Sequence, residues 1–244
     1  MRLDKFLIKT LQLTKHQRKR LLADHQILID GYQALSLRQN IDSELQKITV
    51  KGQKIVSPTE KYYMMYKPEG VISAVKDDQK QTVIDLLRAE DQIEGLYPIG
   101  RLDRYTSGLL LLTNNGPLGF RLLHPDYHVE KQYRVKVNGD INEETVAMFA
   151  RGVIIDQDTL CKPAKLIILR HSPTESEALV ILSEGKYHQV KKMFLSVGVK
   201  VIELVRLTFG KFSLDQMLKP GEYRELNQAE RQLIKQYLSD DIYI

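Results

Sequence analysis

The stretch Gly100-Arg101-Leu102-Asp103-Arg104-Tyr105-Thr106-Ser107-Gly108-Leu109-Leu110-Leu111-Leu112-Thr113-Asn114-Asn115-Gly116 decides how this chain folds. A charged turn runs directly into four leucines, and Asn-Asn-Gly then stops the run. Four apolar residues bounded by glycines are too short for a helix and suit a strand buried on both faces. Asp103 then stands where rigid core meets solvent, a place where a carboxylate is held still and can still reach a ligand. Its tripeptide carries little alone: Arg2-Leu3-Asp4 repeats it, and most such charges are solvated turn residues.

Working outward, 244 residues with 43% hydrophobic content allow one large domain and one small one, each with a core. No apolar run approaches the roughly 20 residues of a membrane span. The N-terminus is charged from Arg2 onward without a signal-peptide core, so the reading is a soluble, cytoplasmic protein. A single cysteine, Cys161, excludes an internal disulfide and a cysteine zinc cluster. There is no dinucleotide glycine fingerprint and no P-loop, and Pro125 spoils the helical pairing of His124 with His128. No metal and no cofactor are expected.

Charge is unevenly spread. Residues 1–58 hold 11 Lys and Arg against 5 Asp and Glu, while residues 59–244 hold 25 against 26. A compact basic module on a near-neutral body suggests a polyanion-binding handle on a separate working domain. Within it, Leu3, Phe6, Leu7 and Leu11 have helical spacing, and Thr14 can cap a second helix carrying Lys15, Arg18, Lys19 and Arg20. Ile27 to Tyr32 and Ile48 to Ile55 read as strands with Asp-Gly and Lys-Gly turns. The basic run is equally consistent with an ordinary solvated helix face.

Ser57 to Lys61 reads as a short polar connection, with 59–61 as the linker between domains 1–58 and 62–244. Tyr62 to Tyr66 is a buried strand ending at Lys67-Pro68-Glu69-Gly70-Val71, a helix is expected near Val83 to Arg88, and Leu118 to Leu123 is a helix stopped by His124-Pro125. Glu130 to Val137 alternates with period two, setting Tyr133, Val135 and Val137 on one face, where a tyrosine is ordinarily core. Asn142 caps a helix ending at Gly152, and strands follow at 153–155, 164–169 and 178–182. In Glu184-Gly185-Lys186-Tyr187-His188-Gln189-Val190-Lys191-Lys192, helical spacing sets Tyr187, Val190, Phe194 and Val197 on a core face, with His188, Lys191 and Lys192 elsewhere. A long strand, 199–209, and a helix, 227–238, close the chain.

The Gly100 to Gly116 stretch resembles the catalytic-aspartate motif of pseudouridine synthases, in the branch typified by the ribosomal small-subunit enzyme: G-R-L-D-x-x-T-x-G-L-L-L-L-T-N-D-G, with only Asn115 departing. Lys67-Pro68-Glu69-Gly70-Val71 matches the family's K-P-x-G-V element, Glu130 to Val135 its E-K-x-Y-x-V strand, and Glu184 to Lys191 its E-G-x-Y-H-Q-V-K motif. The first 58 residues resemble an S4-type RNA-binding domain, although Asp24-His25 replaces the usual glycine before the hairpin. This resemblance implies an α+β fold: a small S4-like domain, then a catalytic domain with a mixed, mostly antiparallel sheet flanked by helices and a central cleft. It implies isomerisation of uridine to pseudouridine in ribosomal RNA, 16S in this branch, without a cofactor, by a monomer acting on a small-subunit assembly intermediate. Asp103 would be the catalytic carboxylate, Lys191 its cationic partner, Tyr133 the ring against the base and Leu204 its apolar neighbour. Arg101, Arg104, Lys67, His188 and Gln189 would contact RNA at the site, and Arg2, Lys5, Lys15, Arg18, Lys19 and Arg20 would do so from the basic module.

The chemistry breaks the N1–C1′ bond, turns the base and rejoins it through C5, so no redox step is needed. One ionised carboxylate can serve as nucleophile or stabilise charge developing on the sugar. The everted uridine leaves a gap in its stack, which a planar cation such as Arg101 suits. Three other readings stay open at this point: a large-subunit rRNA enzyme, a non-catalytic rRNA-binding assembly factor, and a glycosidase-like hydrolase, which would need a second facing acid.

Overall fold

The computed structural model describes residues 1–57 and 60–239, and the chain is α+β in two compact units. The first unit gathers Met1–Tyr62, Thr113–Arg121 and the described residues from Glu225 onward, and the second gathers Tyr63–Leu112 and Leu122–Arg224. The chain thus returns twice to the first unit, whereas the expected boundaries, 1–58 and 62–244, were continuous. Of the expected linker 59–61, Thr59 lies outside the described residues. Glu60 is buried and the Lys61 amide donates to Asn114 Oδ1 at 2.9 Å, so these two residues are pinned.

In the first unit, α1 (Leu3–Leu11) turns Leu3, Phe6 and Leu7 inward. Helix α2 (Lys15–Ala23) opens on a capping box: Thr14 accepts from the Gln17 amide, and the Gln17 side chain accepts from the Thr14 amide. Strands β1 (Ile27–Ile29), β2 (Tyr32–Gln33), β3 (Ile48–Val50) and β4 (Gln53–Ile55) form a sheet in the order β2-β1-β3-β4. Both hairpins turn on paired positive φ angles, 53° and 90° at Asp30-Gly31 and 50° and 78° at Lys51-Gly52, the twist two-residue hairpins favour. A buried polar cluster also belongs to this unit: the Tyr62 hydroxyl donates to Asp42 Oδ2 at 2.5 Å and accepts from Asn115 Nδ2 at 2.7 Å.

The second unit is built on β5 (Tyr62–Lys67), β6 (Tyr97–Ile99), β7 (Ser107–Thr113), β8 (Lys131–Val137), β9 (Ile154–Ile155), β10 (Thr159–Leu160), β11 (Lys165–Arg170), β12 (Ser176–Leu182), β13 (Val201–Phe209), β14 (Phe212–Ser213) and β15 (Tyr223–Glu225). Its main sheet runs β11-β12-β8-β13-β7-β5-β15, with β14 beside β13 and β6 beside β7. Pairing is antiparallel from β11 through β12 and β8 to β13 and parallel between β13 and β7, the mixed sheet expected. Every residue of β7 is buried, as a central strand covered on both faces requires. Helix α3 (Gly116–Leu123) follows β7, α4 (Glu143–Arg151) is capped by Asn142, α5 (Gln189–Ser196) precedes β13, and α6 (Gln228–Ser239) comes last in the first unit.

Gly108 allows β13 to approach: its φ is +108°, and a Cβ there would collide with the Arg206 backbone nitrogen and oxygen. The helix expected near Val83 to Arg88 is absent. Thr82 and Asp85 lock a side-chain turn there, with Asp85 Oδ2 accepting from the Thr82 amide at 2.7 Å and its hydroxyl at 2.9 Å, and only a 3-10 turn, Ala89–Asp91, follows. No helix among the described residues is long and apolar enough to cross a membrane.

Candidate active site

Asp103 sits on the loop between β6 and β7, and the Lys67 to Ser73 segment holds that loop from beneath. Lys67 is fully buried. Its ammonium donates to the carbonyls of Pro68 at 2.9 Å, Asp103 at 3.1 Å, Thr106 at 3.0 Å and Arg104 at 3.4 Å. Gly70 N donates to the Arg104 carbonyl at 2.8 Å, and Arg104 Nε returns a bond to the Gly70 carbonyl at 2.9 Å. Ser73 Oγ both donates to the Leu102 carbonyl and accepts from the Leu102 amide. The loop is therefore fixed on both sides of Asp103, the preorganisation that a reacting carboxylate needs. Burial pushes the Lys67 amine from 10.5 down to about 8, against the opposing pull of the Asp103 carboxylate.

This placement corrects the assignment of Lys67 to RNA contact: a fully buried ammonium wrapped in carbonyls shapes the loop and cannot reach a ligand. Gln189 is 4% exposed and is among the residues lining the cavity at Asp103. Its Oε1 accepts from the Lys186 amide at 2.9 Å and its Nε2 donates to Glu184 Oε1 at 2.5 Å, closing the turn before α5.

That turn delivers Lys191 and His188. Lys191 Nζ lies 3.7 Å from Asp103 Oδ2 and 3.5 Å from the Tyr105 carbonyl, while His188 Nε2 lies 3.6 Å from Asp103 Oδ1. His188 is the N-cap of α5 with φ 53° and ψ 28°, a left-handed conformation that costs a non-glycine residue about 1–3 kcal/mol. Asp103 keeps 28% of its side chain exposed. Around it is a cavity of about 90 Å³ whose lining includes Arg101, Thr106, Tyr133, Lys186, His188 and Leu204. Arg101 is exposed there, and Leu204 and Tyr133 form apolar wall. The Thr106 hydroxyl is buried with no hydrogen-bond partner among the described residues.

The strongest element to which sequence reading gave no role is Arg206, only 1% exposed. Its Nε donates to the Leu109 carbonyl at 2.8 Å and its Nη2 to the Gly100 carbonyl at 3.0 Å, and it lies opposite Tyr133 in the β13–β8 register. Burial holds the guanidinium below its ordinary value, with the bonded Tyr133 hydroxyl pulling the other way. Period-two alternation from Leu204 was the available signal, since it sets Arg206 on the same face of β13.

The basic module is more divided than its sequence suggests. Lys5, Lys15 and Lys19 are exposed, but Arg2 is held by Asp4 at 2.7 Å, Arg20 pairs with Asp24 at 3.5 Å, and Arg18 Nη1 donates to the Leu13 carbonyl at 2.5 Å.

A carboxylate between a lysine ammonium and an imidazole, at the mouth of a small cleft with a tyrosine and a leucine, is suited to one-residue chemistry on a planar heterocycle. The family model described as RNA pseudouridylate synthase matches residues 61–196. The chain is 40% identical over 236 residues to the uncharacterized RNA pseudouridine synthase YtzG of Bacillus subtilis (strain 168), covering 97% of this chain and 99% of that one. It is 38% identical to the ribosomal small subunit pseudouridine synthase A of Vibrio cholerae serotype O1 over 94% of this chain and 97% of that protein. A crystal structure of a pseudouridylate synthase superposes with a TM-score of 0.67 at 33% identity, covering 96% of this chain and 99% of the other. The site and fold thus define an isomerase of RNA, and this chain belongs to the RNA pseudouridine synthase family.

Proposed function

We propose that this protein converts a specific uridine of ribosomal RNA, in the small subunit, to pseudouridine, acting as a cytoplasmic monomer on a small-subunit assembly intermediate. Asp103 attacks or stabilises the reacting nucleoside, Lys191 pairs with it, Tyr133 and Leu204 hold the base, and Arg101 fills the space left by the everted nucleotide. His188 and Arg104 face the RNA backbone. The residues 1–58 form an S4-like handle whose phosphate contacts come from Lys5, Lys15 and Lys19, with Arg2, Arg18 and Arg20 available where their internal partners yield.

One observation carries the reading: both carboxylate oxygens of Asp103 have a basic side chain within 4 Å, Lys191 and His188, in a pocket shared with Tyr133 and Leu204. The small-subunit choice is supported by the Tyr187-His188-Gln189-Val190-Lys191 motif and by the Vibrio cholerae relative. The test is to map pseudouridines by carbodiimide-primed reverse transcription in cells with and without the gene. Loss of one stop in 16S rRNA is the expected result, and a lost stop in 23S rRNA would replace the assigned target.

A further inference from the structure

Helical spacing puts Tyr187 on the core face of the helix that carries Lys191, yet the structure does the opposite. Helix α5 begins only at Gln189, and Tyr187 is 72% exposed. An exposed tyrosine alone means little. Tyr32, 75% exposed, has no ring behind it among the described residues.

Tyr187 differs in being backed. Its ring stacks on the His188 imidazole with centroids 3.9 Å apart and planes 18° from parallel. Lys192 Nζ lies 5.2 Å from its centroid and is itself held by Asp156 at 2.5 Å. His188 in turn stands 3.6 Å from the Asp103 carboxylate, and its backbone is left-handed. The result is a two-ring stack that runs outward from the candidate nucleophile and ends on a largely exposed tyrosine with a cation over its ring. Such a surface is chemically matched to a nucleobase, since every base offers a π-face and stacking on aromatics needs no sequence readout.

We propose that Tyr187 is a stacking platform for the base of a nucleotide adjoining the target uridine, with His188 as its backing ring and Lys192 as a cation beside the stack. The platform holds the neighbouring nucleotide as the uridine leaves the stack and enters the Asp103 pocket. This assignment rests on the rRNA reading above and adds a contact to it.

The test compares the full-length protein with Tyr187→Ala and Tyr187→Phe in tritium release from C5-labelled rRNA transcript. Tyr187→Ala is expected to lower kcat/KM by about tenfold or more, mainly through KM, and Tyr187→Phe, which keeps the ring, to recover most of the loss. A second measurement uses rRNA with bases removed at random, selected for binding to Asp103→Asn and to Asp103→Asn/Tyr187→Ala. Base loss at one neighbour of the target uridine should impair binding to the first protein and be indifferent to the second. Equal kcat/KM for Tyr187→Ala and parent, or the same interference pattern for both binding variants, overturns the platform. If the parent releases no tritium from rRNA, the rRNA assignment falls, and the interference pattern on the RNA that Asp103→Asn does bind still decides the platform.

Discussion

Replacing Lys67 by methionine removes a buried cation and also four hydrogen bonds, and the two effects oppose each other. The lysine amine falls from 10.5 to about 8 in the folded chain, which corresponds to about 3 kcal/mol against carrying its proton at neutral pH. Methionine relieves that cost. It also takes the ammonium donor from the carbonyls of Pro68 and Thr106, at roughly 1–3 kcal/mol for each one left unsatisfied, while the Asp103 and Arg104 carbonyls keep the Thr106 and Gly70 amides. The two effects are of similar size, so Lys67→Met should stay within about 3 kcal/mol of the parent at pH 7, a change of at most roughly 12 °C in Tm. Loosening the loop should also cost about 100-fold in kcat, as small misplacements of reacting groups do.

The sign of the pH dependence is the sharper check. Between pH 8 and 10.5 the unfolded chain still holds the Lys67 proton while the folded chain has released it, so the parent gains stability as pH rises through this window. Relative to Lys67→Met, the gain should approach about 1.4 kcal/mol per pH unit, or about 2 kcal/mol between pH 8 and 9.5. Denaturant unfolding of both proteins at those two pH values measures it. A difference that stays flat or shrinks would refute the argument that burial depresses this amine.

Asp103→Asn should abolish tritium release from C5-labelled RNA while leaving the dissociation constant for RNA nearly unchanged, and turnover close to the parent's would remove the carboxylate from the mechanism. Neutralising Lys15 and Lys19 to glutamine should weaken rRNA binding and reduce the slope of log affinity against log salt by about 1–2, with a filter-binding salt series as the measurement and an unchanged slope as the contrary result. Gly108→Ala, forced against the Arg206 backbone at a positive φ, should lose several kcal/mol and fail to accumulate as soluble protein; a Tm within a degree of the parent would show that β13 and β7 can separate locally without harm.

The catalytic loop was legible because its signals are local. A leucine run stopped by glycines can only be a covered strand, and the loop before it must then emerge beside the core. The pairing of Asp103 with Lys191 came instead from family resemblance, since residues 88 positions apart in number share no local pattern. What misled was chemistry that reads as solvent-facing. Lys67 is a polar residue inside a recognisable motif, yet it serves the backbone of neighbouring turns, and burial of that kind leaves no periodicity. Tyr187 was placed on the core face because period counting cannot see that the helix starts two residues later. Asn115 looked like a neutral departure from the family's aspartate, but its amide is the donor to the Tyr62 hydroxyl that already gives its proton to Asp42, a bond an ionised carboxylate could not supply.

The chain's two returns to its first unit limit how that module can be moved. Excising residues 1–58 as a bead for grafting onto another enzyme would strand Asp42 inside without the Tyr62 phenol and strip Lys235 from Asp30 and Arg231 from Glu44. Any chimera that exchanges this module must therefore carry its matching tail, and gene fusions that replace only the leading segment should yield material that misfolds at the seam.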